Sequence, residues 1–132
     1  MSDHASAFAE RLNQLEADGD VESFVAGVFT DDAELVRPEA HQRLQGGPGA
    51  RSFWQQYLDH FDTVSSEFSR VVTADALGVL EWTSRGRLRG GGDITYSGVS
   101  LLDLDGEGRV TRFATYYDTT PFHAPGSTRL EG

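Results

Sequence analysis

The sequence predicts an α+β fold in which a curved antiparallel sheet wraps around N-terminal helices. Two observations carry this reading. Apolar residues recur at helical spacing through the first half of the chain, at Phe8, Leu12 and Leu15, then at Val21, Phe24, Val25 and Val28, and again at Phe53, Trp54, Tyr57, Leu58 and Phe61. Farther on, the pattern changes to β-branched and aromatic runs interrupted by Gly-rich and Asp-Gly turns, which predicts strands over 67–75, 77–88, 94–104 and 109–118. Long antiparallel strands behind packed helices enclose a hollow, and alternate residues of each strand line it.

Each element has a local cause. The first helix, 4–18, stops at Gly19, which readily takes the left-handed conformation that ends helices. Asp20 is suited to cap a second, short helix ending near Thr30-Asp31-Asp32. Glu34 to Arg37 reads as a brief extended segment, because Pro38 pushes the residue before it away from helical geometry. A polar, glycine-rich loop follows, and Pro48 and Gly49 open the third helix. Gly90-Gly-Gly92 and Asp105-Gly are hairpin turns. The whole is read as one domain over 1–120, with residues 121–132 as a loosely ordered tail.

Composition narrows the function. With 132 residues there is room for one core. No apolar run approaches the ~18 residues a membrane-spanning helix needs, so no membrane association is expected. Eleven basic against 21 acidic residues leave a formal charge of −10, which repels phosphate backbones and anionic headgroups and argues against nucleic-acid partners. The absence of Cys excludes disulfides, thiolate nucleophiles and Cys-ligated zinc. The polar start Met-Ser-Asp-His-Ala lacks the regions of a signal peptide, and a cytoplasmic location is expected.

The order of elements, with Phe29-Thr-Asp-Asp-Ala33, Gly49-Ala-Arg-Ser-Phe-Trp54, Asp105-Gly-Glu-Gly-Arg-Val110 and Phe113-Ala-Thr-Tyr-Tyr-Asp118, resembles the nuclear transport factor 2-like superfamily, and within it the SnoaL-like polyketide cyclase group. The resemblance covers roughly residues 5 to 120 as a string of weak motifs. It implies a cone-shaped α+β fold, a homodimer formed through the outer face of the sheet, and a pocket open at one end. It does not imply one reaction, because such folds host cyclases, isomerases, epoxide hydrolases, dehydratases and proteins without a known reaction.

The positions where those relatives keep reactive groups are informative. The general-base Asp of the ketosteroid isomerases falls on Arg37, which cannot accept a proton. Their oxyanion-hole Tyr falls near Leu12, and their protonated Asp on Ser100. The Arg and two Asp of limonene-type epoxide hydrolases fall on Trp82, Ser84 and Thr115. Neither apparatus is present.

In that register the period of two turns Leu80, Trp82 and Ser84 inward on one strand, Tyr96, Ser100 and Leu102 on the next, and Phe113, Thr115 and Tyr117 on the last. Trp54 and Tyr57 of the third helix complete an aromatic wall with hydroxyl tips. A one-residue slip between Leu77 and Ile94 would instead bring Glu81 or Arg85 inward. Such a wall suits a flat or ring-containing molecule, provided the rings surround an empty volume and do not simply fill the core. Arg37 and His41, on either side of Pro38, are candidate polar groups, the His as acid or base and the Arg as the holder of a carboxylate or enolate oxygen; the alternative is a solvated loop pair.

Metal and cofactor signals are weak. Asp103-Leu-Asp105-Gly-Glu107 lacks the third ligand and the late Glu of a calcium loop. Gly46-Gly-Pro-Gly49 lacks the Lys-Ser/Thr of a phosphate loop. His4, His41, His60 and His123 show no paired metal spacing. The expectation is a closed-end pocket for a small hydrophobic or cyclic organic molecule, without cofactor or metal, with cyclase- or isomerase-type chemistry; the alternative is a non-catalytic binding or dimerisation module.

Overall fold

A computed structural model of the chain describes residues 3–123. Helix α1 (His4–Asp18) begins where the Asp3 carboxylate accepts from the Ser6 backbone N–H, and it ends at Gly19, whose φ of 71° is left-handed. Asp20 caps α2 (Val21–Val28) in the same way, through the Ser23 N–H at 3.1 Å. This helix stops earlier than its composition predicts. Phe29 is already extended and buried, and it starts β1 (Phe29–Arg37), a nine-residue strand of which the expected Glu34–Arg37 segment is only the end.

After a short turn at Pro38–Ala40, the segment expected as loop forms β2 (Gln42–Gln45), paired with the end of β1 so that Leu35 faces Leu44. Then follow α3 (Gly46–Asp59), β3 (Phe61–Ala74), β4 (Leu77–Leu88), β5 (Asp93–Leu104) and β6 (Val110–Tyr117). Strand β3 starts six residues before its predicted boundary. Irregularities between Phe61 and Thr63 and between Phe68 and Arg70 break the two-residue alternation that would have announced it.

The six strands form one sheet in the order β2-β1-β6-β5-β4-β3. It is antiparallel except between β1 and β6, which run parallel with Leu35 beside Phe113. The long strands β4, β5 and β6 are antiparallel as expected, and the parallel pair comes from β1, predicted only as a brief extended segment. A parallel pair needs a long crossover between its strands, and here everything from β2 to β5 serves as that crossover. Helix α1 packs across β3 and α3 packs on β1, so the helices and the concave face share one core.

The register between β4 and β5 decides what that face presents. Leu80 pairs with Ser100, Trp82 with Gly98, and Ser84 with Tyr96, all on the inner side. Glu81 lies on the other side, where it binds Arg70 at 3.4 Å, and Arg85 pairs there with Glu67. The Asp105 turn is a hairpin held by its own carboxylate, which accepts from the N–H groups of Glu107 and Arg109 at 2.9 Å. Of the expected tail, Thr120–His123 forms a 3₁₀ turn that sets Phe122 edge-on against Tyr96 at 4.8 Å between centroids; residues 124–132 lie outside the described residues.

Candidate functional site

Between α1, α3 and the concave face lies a narrow, partly open cavity of about 60 Å³. Helix α3 contributes Phe53, Trp54 and Tyr57, with His60 as the residue that caps its C-terminus. The sheet contributes Trp82 and Ser84 from β4, Tyr96 and Ser100 from β5, and Phe113, Thr115 and Tyr117 from β6. Thus nine of the ten side chains expected around a pocket surround one empty volume. Leu80 does not: it is completely buried in the packed core rather than in the wall.

The two polar candidates beside Pro38 separate. Arg37 enters the wall from the end of β1, with its guanidinium 4.4 Å from the Phe53 ring centroid and a 2.7 Å hydrogen bond to Gln42 Oε1. His41 stays out. It closes the Pro38 turn in a left-handed conformation, is exposed, and does not line the cavity.

His60, which sequence reasoning passed over, is the histidine of the cavity. Its place three residues after Tyr57 and seven after Phe53 was the available signal. Nδ1 lies 2.9 Å from the Gln56 carbonyl oxygen, which only accepts, so Nδ1 carries the proton and a neutral ring keeps its lone pair on Nε2. One side of the residue is exposed, yet burial of the rest lowers its pKa below 6.5, and the positive charge of Arg37 lowers it further against the opposing pull of Asp59. The imidazole is therefore mainly neutral at pH 7.

A second missed residue organises the opposite wall. Glu16, four residues after Leu12 on α1, accepts hydrogen bonds from Tyr57 Oη at 2.7 Å, Ser66 Oγ at 2.6 Å and the Ser66 N–H at 2.9 Å. Ser66 Oγ lies 2.6 Å from Ser84 Oγ, and since the Ser66 proton goes to the carboxylate, Ser84 must donate in that pair. The hydroxyl protons of this wall thus point away from the cavity towards Glu16. Burial raises the pKa of Tyr57 well above 10, with Tyr96 and Glu16 adding to the effect; burial raises Tyr96 as well, followed by Tyr117 and Glu16. Both phenols stay neutral. Elsewhere, Trp82 Nε1 donates to Ser100 Oγ at 3.0 Å, and Ser100 meets Thr115 Oγ1 at 2.9 Å. The indole N–H of Trp54, by contrast, is buried without a partner among the described residues.

Residues 7–113 match the sequence model of the SnoaL-like domain. The chain belongs to the SnoaL-like family. No curated protein sequence matches this SnoaL-like chain significantly. Its fold is shared by solved structures of low identity. A nuclear transport factor 2-like protein of unknown function from Burkholderia pseudomallei is similar with a TM-score of 0.78 at 16% identity, over 92% of this chain and 95% of the other. A protein with a ketosteroid isomerase-like fold from Catenulispora acidiphila, in complex with trimethylamine, gives 0.76 at 14% identity, over 86% and 87%. The Mycobacterium tuberculosis protein Rv0760c, in complex with estradiol-17β-hemisuccinate, gives 0.74 at 12% identity, over 91% and 98%. The SnoaL-like cone and its curved sheet are thus common ground. Within the described residues no helix is long and apolar enough to cross a membrane.

Proposed function

We propose that the cavity binds a small hydrophobic, ring-containing organic molecule and that its chemistry, where it has any, is cofactor-independent proton transfer of the cyclase or isomerase kind. The carrying observation is the empty volume between the Trp54, Trp82, Tyr96 and Phe113 rings with a neutral His60 in the same wall. Flat rings gain apolar contact there, and neutral hydroxyls orient them. In the catalytic form of this reading, His60 Nε2 takes a proton from a carbon beside a ligand carbonyl, the electron pair moves to the carbonyl oxygen, and the Arg37 guanidinium balances the enolate charge until the proton returns to another carbon.

One observation favours the alternative of binding without turnover: among the described residues no carboxylate lines the cavity, and by the resemblance Arg37 and Ser100 stand where ketosteroid isomerases keep theirs. Two measurements test these readings. Both tryptophans of the chain line the cavity, so intrinsic fluorescence should shift or quench as flat cyclic ketones are titrated, and Trp82→Ala should diminish the response; an unchanged signal across a diverse set counts against a pocket. For ketones that bind, protein-dependent deuterium exchange at the α-carbon, lost in His60→Gln, supports catalysis. Binding without exchange supports the second reading. A homodimer through the outer face of the sheet also belongs to this proposal, as does a location in the cytoplasm.

A further inference from the structure

Most arginines among the described residues have a carboxylate or a backbone carbonyl as partner. Arg43 and Arg112 pair with Glu34, Arg51 with Glu22, Arg70 with Glu81, Arg85 with Glu67 and Arg87 with Asp93, while Arg89 and Arg109 donate to backbone carbonyls. Arg37, like Arg11, Arg89 and Arg109, pairs with no carboxylate among the described residues, but of these four it is the one that lines the cavity, partly buried in an apolar wall.

The guanidinium is nevertheless held in place. Its flat face rests on Phe53, one N–H is fixed by Gln42, and Gln42 is fixed in turn by donating to Gln56 Oε1 at 2.8 Å. A guanidinium has five N–H donors in a rigid fork that matches a carboxylate, and orienting it beforehand removes part of the entropic cost of binding one. A charge beside apolar surface gains most from a counter-ion that shares its enclosure. The hydroxyl protons on the side of Tyr57 and Ser84 are spent towards Glu16, which leaves the guanidinium as the oriented charged donor of the wall.

Building on the pocket reading above, we infer that the molecule bound here is a ring-containing carboxylate, its apolar body against the aromatic wall and its anionic group on Arg37. The chemistry of the wall sets the class: one oriented cation, and aromatic surface for the remainder.

The probe pair is 2-naphthoic acid, ionised at pH 7.5, and its neutral analogue 2-naphthamide, titrated calorimetrically into the full chain. The wild type should bind the acid about 10-fold or more tightly than the amide, the scale of one or two charged hydrogen bonds. In Arg37→Gln the preference for the acid over the amide should fall to within about twofold, with far-UV circular dichroism verifying that the variant is folded; Arg37→Lys should retain part of the preference. Raising NaCl from low to high concentration should weaken the acid and leave the amide unaffected, a readout that needs no variant. Equal affinity for acid and amide, or a preference that survives Arg37→Gln, overturns the carboxylate inference and leaves the pocket reading standing. Failure of both probes to bind the wild type overturns the two together.

Discussion

The Tyr57 hydroxyl donates a 2.7 Å hydrogen bond to Glu16 Oε2, joining the third helix to the first across 41 residues of sequence. Because Glu16 also takes the Ser66 hydroxyl and N–H, one carboxylate ties α1, α3 and β3 together at the wall of the cavity. Tyr57→Phe should therefore destabilise the protein by about 1–2 kcal/mol in urea unfolding, the scale of a partly buried, charge-assisted hydrogen bond. Combined with Glu16→Gln, its effect should be less than additive, because both changes remove the same contact. Additive losses would show that the pair is not coupled.

The His60 titration has a defined sign. With its folded pKa below 6.5, the unfolded chain binds the proton more readily between that lowered value and 6.5, so His60 favours the folded state above this window and the benefit is lost as pH falls through it. Proton NMR of the His60 ring should give a midpoint below 6.5. In Arg37→Gln the midpoint should rise only part of the way, since burial is the larger cause. A midpoint at or above 6.5 in the wild type would contradict the environment described.

Gly98 is opposite Trp82 on β4 and opposite Tyr117 on β6, on the inner face of the sheet. A Cβ there would lie 2.7 Å from Trp82 Cζ2 and 2.7 Å from Tyr117 Cβ, and closer still to the Tyr116 carbonyl. The missing side chain is what lets the two rings sit side by side. Gly98→Ala should cost about 1–3 kcal/mol and shift Trp emission. Gly106→Ala, with open space around it, should stay within ~0.5 kcal/mol. Equal melting temperatures for the two variants would refute the steric argument.

The convex face of the sheet exposes Tyr116 (46%) and Val72 (51%). If two copies associate there, sedimentation should give about twice 14.4 kDa, and Tyr116→Glu should shift the species towards the single-chain mass. A wild-type monomer at tens of micromolar would count against that association.

Where signals are local, the sequence alone determined the structure. Gly19 marks the end of α1 because one residue must turn left-handed there, and the alternation in β4 and β5 fixes which side chains face inward because the period of a strand is two. That alternation turns Trp82, Ser84, Tyr96 and Ser100 towards the cavity. Tertiary structure decided everything that depends on distant pairing. Strand β1 is nine residues long because Phe29 and Leu35 find β6 beside them, and β3 gains its first half through pairing with β4 despite an irregular pattern. Only the folded chain separates His41, turned outwards by the left-handed end of the Pro38 turn, from His60, carried inwards at the C-terminal end of α3. Glu16 shows the same limit. Its position beside Leu12 on the helix was legible, but its partners come from α3 and β3, and a carboxylate's role is set by the donors that folding brings to it.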